Sequence, residues 1–128
     1  MNWHRVKIRR SDKLFSLFIR TRDGWKCKKC KRWFPKPEDN EGRTPGNLHC
    51  SHFFSRRAES TRFYPDNCDA FCAGCHKDFD SDRAGYEEWK KEQLGERDFK
   101  LLLVQHNSYK QRDDKLDAMY AKKLLDEV

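Results

Sequence analysis

The chain has 128 residues, 36% apolar and 38% charged, which fits one domain with extensions and excludes a large self-sufficient core. No apolar run reaches the roughly 20 residues of a membrane helix, and the opening "MNWHRVKIRR" lacks a secretory apolar region, so a cytoplasmic, reducing setting is expected. The net charge of +7 is concentrated: residues 1–36 hold thirteen Lys or Arg against two acids, which favours a nucleic-acid partner over a merely solubilising face.

Within residues 11–22, Leu14, Phe15, Phe18 and Ile19 recur at helical spacing, and Ser11 or Asp12 is the expected N-cap. Asp23-Gly24 predicts a turn, and Cys27-x-x-Cys30 follows it. Residues 35–47, rich in Pro, Gly, Asn and Asp, read as a loop. "LHCSHFFS", residues 48–55, reads as a short strand, with a second strand near Arg62 to Tyr64 and a loop through "PDN". Cys72-x-x-Cys75 opens a short helix or tight knuckle. From Ala84 the pattern is helical: one segment to a stop at Gly95, one carrying Phe99, Leu102, Leu103 and His106, and one carrying Leu116, Met119, Tyr120 and Leu124. The apolar faces of these segments can pack on the domain or form a homodimer seam.

Cys27, Cys30, Cys72 and Cys75 make two CxxC pairs, 41 residues apart. Each pair lets two thiolates converge on one ion, and two pairs complete the tetrahedral shell of a structural Zn2+. The lysines around the first pair favour thiolate. A redox site needs only one CxxC, and disulfides do not suit a reducing compartment. Cys50 and Cys68 are left over, as small buried apolar residues, with Cys50 able to compete for metal.

Four thiolates fill the zinc shell, so His49, His52 and His76 need another role. A lone histidine is most often a surface or packing residue. Here all three lie inside the cysteine-framed segment, and Arg56, Arg57 and Arg62 are close in sequence.

The segment "CKKC … LHCSHFFSRRAESTRFYPDNCDAFCAGCH" resembles the HNH, or ββα-metal (His-Me finger), nucleases with a treble-clef zinc site, closest to the phage NinG (Rap)-like recombination nucleases. The resemblance covers roughly residues 12 to 95 and rests on the order CxxC, strand His, Asn, CxxCH. It implies an α+β fold: a small zinc-stabilised ββα-metal core with an N-terminal helix and about three C-terminal helices. It divides a single domain, residues 1–128, into a basic N-terminal helix region (1–26), the core (27–83) and a helical extension (84–128). By this resemblance His52 is the general base, Asn67 braces the loop and orients that base, and His76 holds a catalytic divalent cation (Mg2+, Mn2+, Ni2+ or Co2+). His49 stands where such sequences carry Asp, and is the first choice for the other ligand. Residues three apart on a regular strand face opposite sides, so a bulge is expected to bring His49 and His52 together. Asp78 or Asp80 can complete the shell.

The implied function is hydrolysis of DNA phosphodiester bonds, in duplex or branched DNA, in the host cytoplasm if the chain is phage-encoded. Arg56, Arg57 and Arg62 are the candidates for gripping phosphate. An imidazole with a pKa of about 6.5 suits the base and places the acid limb of activity near pH 6 to 7. The alternative is a zinc module that binds nucleic acid without cutting it.

Overall fold

The computed structural model describes residues 7–36, 48–108 and 111–128. It is a small α+β structure with four helices and a two-stranded antiparallel sheet: α1 (Arg10–Arg22), β1 (His49–His52), β2 (Cys68–Phe71), α2 (Ala73–Asp80), α3 (Arg83–His106) and α4 (Asp114–Glu127). Among the described residues no helix is long and apolar enough to cross a membrane. All but the first two residues of the expected 35–47 loop lie outside the described residues.

The hairpin is the middle layer. α1, with α4 beside it, covers one face through Phe15, Phe18, Ile19, Phe63, Cys68 and Ala121. α2 and α3 cover the other through Phe71, Phe79, Tyr86, Phe99 and Leu102, with Trp89 at the edge. Four buried residues in a row along β2 follow from this, because a strand covered on both faces has no solvent side. Aromatic rings do most of the filling: Phe79 stacks on Tyr86 at 4.7 Å, and Phe71 meets Tyr86 and Trp89 edge-on.

Several expected details change. Arg9, not Ser11 or Asp12, caps α1, and Asp12 at the third helical position accepts the Arg9 backbone N–H at 2.7 Å. Ser11 is used elsewhere: its hydroxyl and N–H donate to Asp114 at the start of α4, tying the two helices together. The second strand is Cys68–Phe71, not the stretch near Arg62 to Tyr64, which is a run of turns. Arg62 explains the difference. It is buried, its guanidinium bonded to Asp12, Glu59 and the carbonyls of Lys7 and Arg56, and around it the backbone closes on itself in turns, Thr61 N–H donating to the Ala58 carbonyl and Tyr64 N–H to the Thr61 carbonyl, in place of pairing with a strand. "PDN" forms a 3-10 turn, Pro65–Asn67. The stop at Gly95 is a break inside α3, where Gly95 takes φ 80° and ψ 167°. Helical segments therefore flank it on both sides. α4 turns Asp117, Ala118 and Ala121 inward and leaves Leu116, Met119 and Tyr120 exposed.

Two buried ion pairs lock the layers. Arg62–Asp12 joins the 53–64 segment to α1, and Lys90–Asp69, at 2.6 Å, joins α3 to β2. Burial opposes ionisation of Asp12, but the Arg62 guanidinium and the Arg9 N–H outweigh it and hold the carboxyl below its ordinary range. Removing one partner strands the other charge. Asp12→Ala is expected to lower the unfolding free energy by about 3 kcal/mol in urea denaturation. A loss below about 1 kcal/mol would show that the pair does not hold this segment in place.

Candidate metal centre and adjoining pocket

Four sulfurs meet because the chain hydrogen-bonds to one residue of β2. Ala70 donates its N–H to the Asp23 carboxylate at 2.9 Å, and its carbonyl accepts the Lys28 N–H at 2.8 Å. This docks the 23–30 segment on the free edge of β2. Gly24, Trp25 and Lys31 take left-handed backbone angles, so the chain reverses tightly around Cys27 and Cys30. Cys72 follows β2 directly and N-caps α2, its Sγ accepting the Cys75 N–H at 3.4 Å. Cys30 N–H points at the Cys27 Sγ at 3.5 Å in the same way.

The four sulfurs lie within 4.8 Å of one another, with Cys30 and Cys72 at 3.8 Å. Sulfurs about 2.3 Å from a shared tetrahedral ion stand about 3.8 Å apart. The set is therefore able to hold a structural metal such as zinc. Burial opposes ionisation of Cys27, yet the N–H groups of Cys30, Cys72 and Lys29 outweigh it and bring its pKa down to about 7. Burial, together with the neighbouring sulfurs, pushes the Cys75 thiol up. A cation at the centre resolves this conflict by compensating all four thiolates at once.

The histidines separate into two environments. β1 pairs with β2 in an unbroken register: His49 with Phe71, Cys50 with Ala70, Ser51 with Asp69, His52 with Cys68. There is no bulge, so the expected bend that would bring His49 and His52 together is absent. His49 and Ser51 face α2 and α3, where Ser51 bonds the Tyr86 hydroxyl at 2.8 Å. Cys50 and His52 face the α1 side.

His49 meets His76 of α2, Nδ1 to Nδ1, at 3.1 Å. Two nitrogens bound at about 2.1 Å to one ion, at roughly 90° to 110°, stand about 3.0 to 3.4 Å apart. Burial and the His76 and Arg20 charges hold His49 below the ordinary histidine range, which keeps its lone pair free near neutrality. Asp80 lies 3.7 Å from the other ring nitrogen of His76. The carboxylate thus lies on the side of the ring away from Nδ1, which faces His49.

His52 is held by the Arg62 carbonyl, which accepts from Nε2 at 3.1 Å. A carbonyl only accepts, so Nε2 carries the proton and Nδ1 the lone pair. Burial, with Arg56 nearby, pushes the pKa of His52 down to about 4. Asn67, fully buried, braces the neighbourhood. Its carbonyl oxygen accepts the Phe54 N–H, and its amide donates to the Phe54 and Thr61 carbonyls. One of these bonds fixes the Thr61 carbonyl, next to the one that holds His52.

A pocket of about 530 Å³ lies beyond the end of β1, lined among others by His52, Arg57, Asp80, Arg83 and His106. Arg83 lies over the Phe53 ring at 3.9 Å and bonds the Phe53 carbonyl. No motif in the sequence marks Arg83, because only tertiary packing brings it to the pocket. Of the three arginines assigned to phosphate, Arg57 is exposed on this pocket and Arg56 is half-buried. Arg62 is spent on its internal partners and is not available to a nucleic acid. Part of the basic first third is likewise structural: Arg9 pairs Glu59, Arg20 is buried against Trp25, and Arg22 bonds the Pro65 and Cys68 carbonyls. Lys26, Lys29, Lys31 and Arg32 around the first knuckle stay exposed.

No family model, curated protein or solved structure matches this chain.

Metal removal tests the cysteine set. Stripping with a strong chelator, or Cys72→Ala, is expected to cost more than roughly 4 kcal/mol, because the knuckle and the α2 start lose their shared tether. Thermal unfolding with and without chelator reads this; identical midpoints would rule out a structural metal here.

Proposed function

We propose that the chain is a metal-dependent DNA endonuclease of the HNH type, similar to the phage NinG-like recombination nucleases, with β1, β2 and α2 as its ββα-metal elements. The observation that carries this reading is the approach of two imidazole nitrogens to 3.1 Å, one from the hairpin and one from the helix after the second CxxC. A binding module has no need of such a pair. Asp80 adds support, since it touches His76 and also lines the pocket that His52 lines.

In this reading His49 and His76 hold a divalent cation. When bound, it supplies positive charge to the phosphorane-like transition state and the leaving oxygen. His52 accepts the proton of the attacking water at Nδ1, because the Arg62 carbonyl keeps Nε2 protonated. Asn67 holds the 53–62 turn so that this carbonyl stays in place. Arg57 and Arg83 grip phosphate oxygens from the pocket wall.

The test is nicking of supercoiled plasmid by protein carrying its structural zinc. Two imidazoles make a softer site than carboxylates alone, so Mn2+, Co2+ or Ni2+ should support cleavage at least as well as Mg2+, and EDTA should stop it. His52→Ala is expected to lose about 10²- to 10⁴-fold in rate, with DNA affinity unchanged. His76→Ala should lose activity through the cation. Absence of nicking with all four metals would overturn the reading.

The structure also moves the expected acid limb. The base works when neutral, so its rate contribution is full above its pKa and declines below it. With His52 at about 4, single-turnover rates should stay level through pH 6 to 7 and fall only below about pH 5. A limb at pH 6 to 7 that survives in His52→Gln would assign it to another group.

A second reading, a zinc-framed module that binds nucleic acid without cutting, draws on one observation. His52 is turned to the face opposite His49 and is already hydrogen-bonded to Arg62. DNA binding with no nicking in the same assay would favour it.

A further inference from the structure

Alternation along β1 has a second result. Cys50 and His52 project from the same face, and Cys68, the cross-strand partner of His52, projects beside them. The two sulfurs and an imidazole nitrogen lie within 4.8 Å of one another. Nothing in the four-cysteine set or in the proposed cleavage chemistry uses Cys50 or Cys68.

The surroundings suit a soft cation. Phe15, Phe18, Ile19 and Phe63 form an apolar wall, and Cys68 is buried against it. Cys50 and His52 are half-buried beside it. Arg20, buried against Trp25, lies on the same side of the sheet. The Arg62 carbonyl gives the imidazole the orientation and tautomer of a metal-bound histidine, one nitrogen donating to a carbonyl and the other carrying a lone pair.

We propose that Cys50, His52 and Cys68 form a second metal site, a three-ligand Cys2His site for a thiophilic ion such as zinc, and that filling it blocks cleavage by taking the His52 lone pair. The site stands on the cluster alone; the inhibitory effect rests on the nuclease reading. Binding exchanges two thiol protons, released to solvent, for one divalent ion bound by two thiolates and a neutral imidazole. Solvent takes the fourth position, as in other three-ligand zinc sites. Thiolates select zinc over Mn2+ or Mg2+, so with either of those ions at His49 and His76 the cysteine site stays free for zinc.

Full-length protein loaded with one equivalent of zinc is titrated with further zinc against a chromophoric chelator. With the His49–His76 pair disabled by His76→Ala, the expected stoichiometry is two zinc ions per chain, falling to one when Cys50→Ser or Cys68→Ala is added. His52→Ala should weaken the second ion at least tenfold. Co2+ added at the second site should give a thiolate-to-cobalt charge-transfer band that Cys50→Ser reduces, which reads the ligands without relying on fold stability. Saturation at one zinc in the wild-type chain overturns the proposal, as does a second zinc bound equally well by all three variants.

In Mn2+-supported nicking, zinc should inhibit the wild-type protein at the concentration that fills the second site. In Cys50→Ser, measured against that variant's own zinc-free rate, the half-inhibiting concentration should rise at least tenfold. Cleavage unaffected by a filled second site overturns the inhibitory effect. A protein that binds two zinc ions but never nicks DNA removes the nuclease reading and leaves the site standing.

Discussion

The structure depends on the docking of the first CxxC segment against the outer edge of β2. Ala70 makes both of its backbone hydrogen bonds there, to the Asp23 carboxylate and to Lys28 N–H. Two residues further on, Cys72 begins the second CxxC. One stretch of chain therefore carries the strand, the turn into α2 and half of the sulfur set. Without this docking, β2 would present an open edge and Cys27 and Cys30 would have no fixed relation to Cys72 and Cys75. A metal held by the four sulfurs would add a tether at the point where the polar chain has least apolar surface to offer.

The two-stranded sheet divides the chemistry by parity. Odd positions of β1, His49 and Ser51, face the aromatic layer of α2 and α3. Even positions, Cys50 and His52, face α1. The His49–His76 pair and the Cys50–His52–Cys68 cluster thus lie on opposite faces of four residues of backbone. The pocket at the end of β1 is where they come closest to sharing a space, since His52 lines it together with Asp80, the partner of His76.

Charge in the molecule falls into two groups. Arg62, Lys90, Arg20 and Arg22 are committed internally, to carboxylates, carbonyls and an aromatic ring, and they hold layers together that a small core would bind weakly. The exposed knuckle lysines, together with Arg57 and Arg83 at the pocket, stay at the surface. A sequence count of basic residues merges the two groups, and only burial separates them.

What the sequence by itself determined is local and periodic. Apolar spacing placed α1 and the helices after Ala84, Gly95 marked the interruption in α3, and the CxxC pairs identified the four sulfurs that come together. These follow from contacts a few residues apart or from ligand chemistry that allows one arrangement. The tertiary structure decided the rest. It buried Arg62 in place of exposing it, moved the second strand to Cys68–Phe71, kept β1 free of a bulge, and brought Arg83 to the pocket. Each outcome depends on a partner fifteen or more residues away, or on the register of the hairpin, and no pattern within one segment carries that information. Cys50 and His52, two apart on one strand, were visible as neighbours, but Cys68 joined them only once the strands had paired.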